Sequence, residues 1–312
     1  MILVTGATGF VGQRMVEHLR MIGRPVRLAV RSESALAGDI AMVGDIGPET
    51  DWSAALDGVE TVVHLAGRAH VMARERDPLT QFRKVNAAGT ARLAQQAEAA
   101  GVRRFVLISS VKAAADATHE HSLLESDPVN PRSPYGVSKL EGERALWDVA
   151  RRMQAVILRP PLVYGPGVRA NFRTLLRLVD SGLPLPLGAV ENRRSLISLG
   201  NLVDAIAVAT TAPGAAGHIF FVTDGPPLST PALIRYLAKA LGKPARLVSF
   251  PPGLLMAAAT LAGRRETAQS LIGSLAVNGQ SFRAATGWAP PKSPQAAFSE
   301  AAAWYSQERK RN

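Results

Sequence analysis

Ile2-Leu3-Val4-Thr5-Gly6-Ala7-Thr8-Gly9-Phe10-Val11-Gly12 is the stretch on which the fold turns. An apolar, β-branched run reads as a strand. Three glycines at three-residue spacing follow, and an amphipathic helix runs from about Gly12 to Ile22. In such a turn one glycine permits the tight reversal, the next lets a pyrophosphate approach the backbone, and the third lets helix pack on strand. Free N–H groups at the helix start bind phosphate oxygens. An ordinary βα turn could carry the same glycines. Inside a βαβ unit, the motif predicts a dinucleotide held by Gly6, Thr8, Gly9, Phe10, Val11 and Gly12.

Working outward, apolar strands alternate with helical patterns, which signals a parallel sheet. Strands are expected at Val26–Val30, Ile40–Val43, Thr61–Leu65, Phe105–Ser109 and Gln154–Leu158. Helices are expected over Gln81–Ala100 and Tyr135–Arg152. After Arg159 proline and glycine become frequent, as in Pro160-Pro161 and Gly165-Pro166-Gly167, and break regular elements. A βα-like stretch at Asn201–Val222 returns to the main sheet. The expected fold is α/β: a Rossmann-type doubly wound parallel sheet with a smaller, partly interleaved α/β substrate lobe. The sheet domain takes residues 1–160 plus about 195–225, and the lobe about 161–194 plus 226–312.

The 312 residues are 47% hydrophobic and 20% charged, a balance that supports a buried core. No cysteine is present, which excludes disulfides and thiolate metal sites. No motif supplies a metal set of another kind. The opening residues lack the basic leader of a signal peptide. The apolar run Leu254–Ala262 is far short of the ~20 residues a membrane span needs. A soluble cytoplasmic protein with no integral membrane segment is expected. Net charge is +11, yet the arginines are dispersed and aromatics reach only 5%, so no nucleic-acid partner is expected. Anionic small molecules suit the charge equally well. The tail Arg309-Lys310-Arg311 reads as a solvated end or a weak attraction to acidic lipid.

Tyr135-Gly136-Val137-Ser138-Lys139 sets a phenol and an ammonium four residues apart, on one helix face. A tyrosine titrates near 10, too high for acid–base work near neutrality. A neighbouring lysine favours the phenolate and lowers that value. Ser110 ends a strand whose carboxyl end faces the ligand crevice, where its hydroxyl could orient a reacting oxygen. At the end of the second strand, Arg31 with Ser32 suits a 2′-phosphate. The cofactor is therefore NAD(H) or NADP(H), with Arg31 favouring NADP(H). Asp45 could contact the adenine amino group or simply cap its loop.

The order Gly6-x-x-Gly9-x-x-Gly12, His64-Leu65-Ala66-Gly67, Asn86, Ser109-Ser110, Tyr135-x-x-x-Lys139 and Arg159-Pro160 resembles the extended short-chain dehydrogenase/reductases. Within them it resembles the NAD-dependent epimerase/dehydratase family, nearest to the UDP-glucose 4-epimerase-like and UDP-4-keto-sugar reductase subgroup. The resemblance implies Ser110, Tyr135 and Lys139 as a catalytic triad, with Asn86 supporting helix and proton relay. It implies Asp45, Ile46, Leu65, Ala66, Gly67, Ser109, Pro161 and Leu162 beside the cofactor. Arg68, Ser110, Val111, Tyr135 and Asn171 would face the substrate, and Arg194 would bind its pyrophosphate. An arginine fork suits that contact.

Two departures touch the substrate side. UDP-sugar 4-epimerases often carry asparagine where Leu162 stands, and Val-Tyr-Gly where Val111-Lys112-Ala113-Ala114 follows the serines. The dehydratases place Asp-Glu after their catalytic threonine, so Val111-Lys112 argues against dehydration. The resemblance implies hydride transfer at C4 of a nucleotide-linked hexose, by epimerisation or by reduction of a 4-keto sugar, in surface-polysaccharide synthesis. A non-catalytic redox sensor or assembly factor is the alternative, although such a protein would be expected to lose Tyr135 or Lys139. A homodimer is implied, with alanines such as Ala91, Ala94 and Ala97 permitting close helix approach.

Overall fold

In the computed structural model, which describes residues 1–69, 76–119 and 121–311, short apolar runs build seven parallel strands. They are β1 (Ile2–Thr5), β2 (Val26–Val30), β3 (Asp39–Met42), β4 (Thr61–His64), β5 (Arg104–Ile108), β6 (Gln154–Arg159) and, after two strands of a smaller sheet, β9 (His218–Phe221). Their order is β3-β2-β1-β4-β5-β6-β9. Ile2 pairs with Val26 on one side and Thr61 on the other, so the strand order reverses at β1. In such sheets the crevice beyond the strand ends at that reversal takes the ligand.

Alternate side chains leave each strand on opposite faces, and here both faces are apolar. Val4, Val106 and Val156 pack with Met15 and Leu19 of α1 (Phe10–Met21). Leu3, Phe105 and Ile157 pack on the other side with Trp52, Leu93 and Leu146. That second layer contains α2 (Ser53–Leu56), α3 (Pro78–Phe82), α4 (Gly89–Ala99) and α5 (Pro134–Val149).

Past Arg159 the chain forms β7 (Leu162–Tyr164) and α6 (Ala170–Asp180), and β8 (Leu196–Ser198) then pairs with β7. Next, α7 (Leu199–Ala209) packs under the main sheet and β9 joins its edge beside β6. The chain thus leaves the main sheet after β6 and returns to it through α7 and β9. Helices α8 (Thr230–Ala240), α9 (Pro252–Leu261), α10 (Arg265–Ile272), α11 (Gln280–Thr286) and α12 (Pro294–Arg311) follow. A separate core gathers Tyr164, Phe172, Leu176, Leu237 and Phe298, with the Tyr164 and Phe298 rings stacked at 4.6 Å. Asp224 ties the parts together: it accepts from Tyr164 Oη at 2.8 Å, Ser198 N at 2.8 Å and Asn201 Nδ2 at 2.7 Å.

Two expectations need correction. Residues 81–100 are not one α-helix, because a π-helical segment, Arg83–Ala88, separates α3 from α4. Ala94 and Ala97 are fully buried against the sheet and offer nothing to a second subunit. Among the described residues no helix is long and apolar enough to cross a membrane.

Candidate active site

The site forms where the first turn of α5 meets the end of β5. Ser133 caps α5 by accepting from Gly136 N at 3.3 Å, and Pro134 presets the first turn. Asp116 fixes the approach by accepting from the backbone N–H groups of Arg132 at 2.7 Å and Ser133 at 3.0 Å. A side chain at Gly136 would overlap the Lys112 carbonyl, so only glycine lets α5 close on the turn that follows Ser110. The Ser110 hydroxyl thereby reaches the Tyr135 phenol.

Burial pushes the Tyr135 phenol above its ordinary value, and the Ser110 hydrogen bond opposes this. The depression expected from Lys139 is not seen. The Lys139 ammonium is instead buried and donates to the Ile108 carbonyl at 2.8 Å. Burial lowers its own pKa to about 8, while Glu143, one helical turn further on, pulls the other way. Glu143 in turn forms a buried bidentate pair with Arg159, at 2.9 and 2.6 Å. Tyr135, Lys139 and Glu143 thus occupy three successive turns of one face.

Asn86 lies in the π segment, a feature that often accompanies functional sites. Its Oδ1 accepts from Arg68 N at 2.8 Å, and its Nδ2 donates to Arg68 O at 2.9 Å and to Ser138 Oγ at 3.0 Å. It therefore joins the loop after β4 to the tyrosine-bearing helix. Gly142 permits this packing, since a side chain there would overlap the Asn86 carbonyl. Gly67 lies within the same cluster, close to Asn86 Oδ1 and Lys139 Nζ.

Phe82 carries no motif that marks it in the sequence. Its ring meets Tyr135 edge-on at 5.8 Å, and the Arg68 guanidinium lies 6.0 Å from the Phe82 centroid. Arg68 is thereby brought toward the tyrosine. Val111 is buried, and its N–H donates to the Pro160 carbonyl at 3.0 Å, which sets Pro161 and Leu162 beside the serine turn. Pro161 is buried and Leu162 exposed.

The glycine turn fits a dinucleotide. Gly6 has φ +67°, and a methyl there would come within 2.7 Å of Ala66 N. One at Gly12 would overlap the Gly6 carbonyl. Gly9 caps α1 without a side chain, leaving the first N–H groups of the helix open to an anion. Thr8 is exposed beside it, while Phe10 and Val11 pack inward and Phe10 touches both main cores. Leu65 is partly buried against the same core. Ser109 Oγ, at the end of β5, is buried without a hydrogen-bond partner, as a group awaiting a ligand would be.

At the far end of the crevice Arg31 pairs with Asp45 at 3.4 Å, both highly exposed. Ile46 packs toward the opposite core, against Gly89. Arg194 lies in the smaller lobe, where its backbone bridges Leu228 and Leu275 and its Nη1 donates to the Gly273 carbonyl at 3.1 Å. It has no acidic partner among the described residues, and burial lowers its pKa. Asn171 is exposed on the first turn of α6 and makes no hydrogen bond to the Ser110–Tyr135–Lys139 group among the described residues.

Residues 2–222 match the NAD dependent epimerase/dehydratase family. The chain is 40% identical to a UDP-glucose 4-epimerase of Vibrio cholerae, over 99% of this chain and 97% of that one. Among solved structures it resembles MoeE5 in complex with UDP-glucose and NAD, at 25% identity, TM-score 0.76 and 99% coverage of both chains. A short-chain dehydrogenase/reductase superfamily protein from Agrobacterium tumefaciens with bound NAD is 26% identical, with TM-score 0.76 over the whole of both chains.

Proposed function

Because this chain belongs to the NAD dependent epimerase/dehydratase family, we propose that it interconverts the C4 epimers of a UDP-linked hexose, with NAD as its cofactor. The observation that carries this reading is Tyr135 against Ser110, with Lys139 buried one turn along, in a chain so similar to a UDP-glucose 4-epimerase. When bound, NAD supplies a hydride acceptor and donor at the sugar carbon.

The residues divide the remaining work. Ser110 holds the C4 oxygen, and Tyr135 exchanges the proton with it. Burial keeps the phenol protonated, which suits donation to an alkoxide. With the oxidised cofactor bound, its positive charge would favour the phenolate that takes the proton back. Lys139 stands in the same apolar setting, and Asn86 fixes the loop and helix that carry these groups. The glycine turn, Ser109 and the stretches 65–67 and 161–162 would hold the cofactor, with Arg31 and Asp45 at its adenosine end. The relatives' bound NAD supports NAD rather than NADP. Arg194 would grip the diphosphate, and Arg68, Val111 and Asn171 would line the sugar side. Residues 161–194 and 226–312 would form the substrate lobe. A homodimer would use the outer faces of α4 and α5.

A second reading is reduction of a 4-keto nucleotide sugar by the same residues. Leu162 and Val111-Lys112, which depart from the residues usual in UDP-sugar 4-epimerases, leave it open. Supply of sugar for surface polysaccharide suits either reaction. Incubation with UDP-glucose, UDP-galactose and their N-acetyl counterparts separates the two. Epimer formation without net change in reduced cofactor is expected. With a UDP-4-keto sugar and reduced cofactor supplied instead, stoichiometric consumption of that cofactor would establish the reductase. If Tyr135→Phe leaves cellular function intact, the protein acts as a sensor or assembly factor.

A further inference from the structure

Helix α9 is apolar on every side, yet none of its residues is buried. Pro252–Leu261 carries no charged side chain, and a helix of that kind normally lies inside a protein or against lipid. Here Leu254 is 58% exposed and Leu261 91%. They are seven residues apart, which puts them on one face. Val248 and Phe250, in the stretch leading into the helix, are exposed as well. Leu255 packs against the core of the smaller lobe and anchors the helix. Ten residues are too few to cross a bilayer.

The surroundings are cationic. In sequence, residues 235–275 contain Arg235, Lys239, Lys243, Arg246, Arg264 and Arg265, but only one acid, Glu266. Arg246 precedes α9, and Arg264 and Arg265 follow it. All three are exposed and form no ion pair among the described residues. Lys243 and Arg309 converge on Asp180, bringing the tail Arg309-Lys310-Arg311 to the same lobe. Leu183, three residues beyond Asp180, is exposed, and the bridge between Leu185 and Leu247 links that segment to Val248.

We infer that α9 and its flanking arginines dock this lobe on an anionic lipid surface. A plane of acidic headgroups neutralises Arg246, Arg264 and Arg265, while Leu254 and Leu261 enter the acyl boundary. A second copy of the chain does not meet both demands. A two-fold contact through α9 would bring the same arginines toward one another. The inference is independent of the sugar chemistry above.

Sedimentation of the full chain with phosphatidylglycerol-containing vesicles, and with pure phosphatidylcholine vesicles, tests it. Binding to the anionic vesicles alone, released by salt, is expected. The pair Leu254→Asp/Leu261→Asp and the pair Arg264→Glu/Arg265→Glu should each weaken partition on the order of tenfold. Because these side chains are exposed, thermal unfolding should be unchanged. Three outcomes overturn the inference: no sedimentation with anionic vesicles, variants that bind like the parent, or a changed solution mass in the leucine variant. The last would make α9 an interface between copies.

Discussion

The side-chain amide of Asn86 pairs in both directions with the backbone of Arg68, accepting its N–H at 2.8 Å and donating to its carbonyl at 2.9 Å. A third bond reaches Ser138, whose hydroxyl donates to the Tyr135 carbonyl at 2.8 Å. The loop after β4 and helix α5 therefore share one fastening. Replacing Asn86 by alanine leaves buried backbone groups unpaired and should cost about 2–4 kcal/mol. Activity should fall through kcat, by tenfold or more, with KM little changed. Urea unfolding and steady-state kinetics check both, and a change confined to KM would place Asn86 on the substrate side instead.

Lys139 carries a linkage that can be measured in the protein without added cofactor. Its pKa is about 8 when folded and near the ordinary 10.4 when unfolded. Between these values the unfolded chain binds the extra proton, so stability rises with pH through this window and is lost as pH falls toward 8. From pH 7 to 10 the gain is about 2–3 kcal/mol. In Lys139→Met this slope should vanish, the variant should be the more stable protein at pH 7, and turnover should be abolished. Denaturant midpoints at the two pH values decide the matter.

Glu143 and Arg159 are 1% and 3% exposed. Removing one partner from such a pair strands a buried charge and typically costs about 3–5 kcal/mol. Glu143→Ala should show that loss. The double change to Leu and Met should recover most of it, because neither charge is then left behind. Since Glu143 also raises the Lys139 pKa, Glu143→Gln should move the Lys139 titration to lower pH, as read by isotope-edited NMR of labelled lysine.

Substitutions in the glycine turn should separate folding from cofactor binding. A methyl at Gly12 overlaps the Gly6 carbonyl, whereas one at Gly9 comes only within 3.2 Å of that atom. Gly12→Ala should therefore lower the melting temperature and abolish NAD binding together. Gly9→Ala should keep the melting temperature within a few degrees and weaken NAD on its own. Calorimetric titration with NAD, beside thermal melts of both variants, makes the comparison; equal thermal loss would contradict it.

The parts of this molecule that follow a local period were legible in the sequence. Thr5, Gly6 and Gly12 announced the first βα turn, and Tyr135 with Lys139 announced one helix face. What depended on residues meeting across the chain was not. An extra residue in the π segment has no composition signal, although Asn86 had been singled out beside it. Arg31 and Asp45 were each assigned to the cofactor, yet their mutual pairing appears only once β2 and β3 lie side by side. Glu143 could have been found by extending the four-residue spacing one more turn. Phe82 could not, because its approach to Tyr135 depends on how α3 packs on α5.

His64 shows how such a meeting creates a pH response. Ala66 N–H donates to Thr5 Oγ1 at 3.1 Å, so the Thr5 hydroxyl proton is free to point at His64 Nδ1, 2.7 Å away. Thr90 gives its hydroxyl proton to the Asn86 carbonyl at 2.8 Å and so accepts from His64 Nε2–H at 3.2 Å. This order fits a neutral ring protonated at Nε2 and leaves no acceptor for a second proton. Burial, with Lys139 nearby, lowers the His64 pKa to about 3, against about 6.5 in the unfolded chain. The unfolded state thus binds the extra proton between these values. Stability present above pH 6.5 is lost as pH falls toward 3. Between pH 6 and 4.5 the parent should lose about 2 kcal/mol more than His64→Gln, which cannot take up this proton. Urea unfolding of both proteins across that interval measures the difference. Parallel curves would mean that the imidazole already carries its charge inside the fold, and the hydrogen-bond order from Thr5 to Asn86 would have to run the other way.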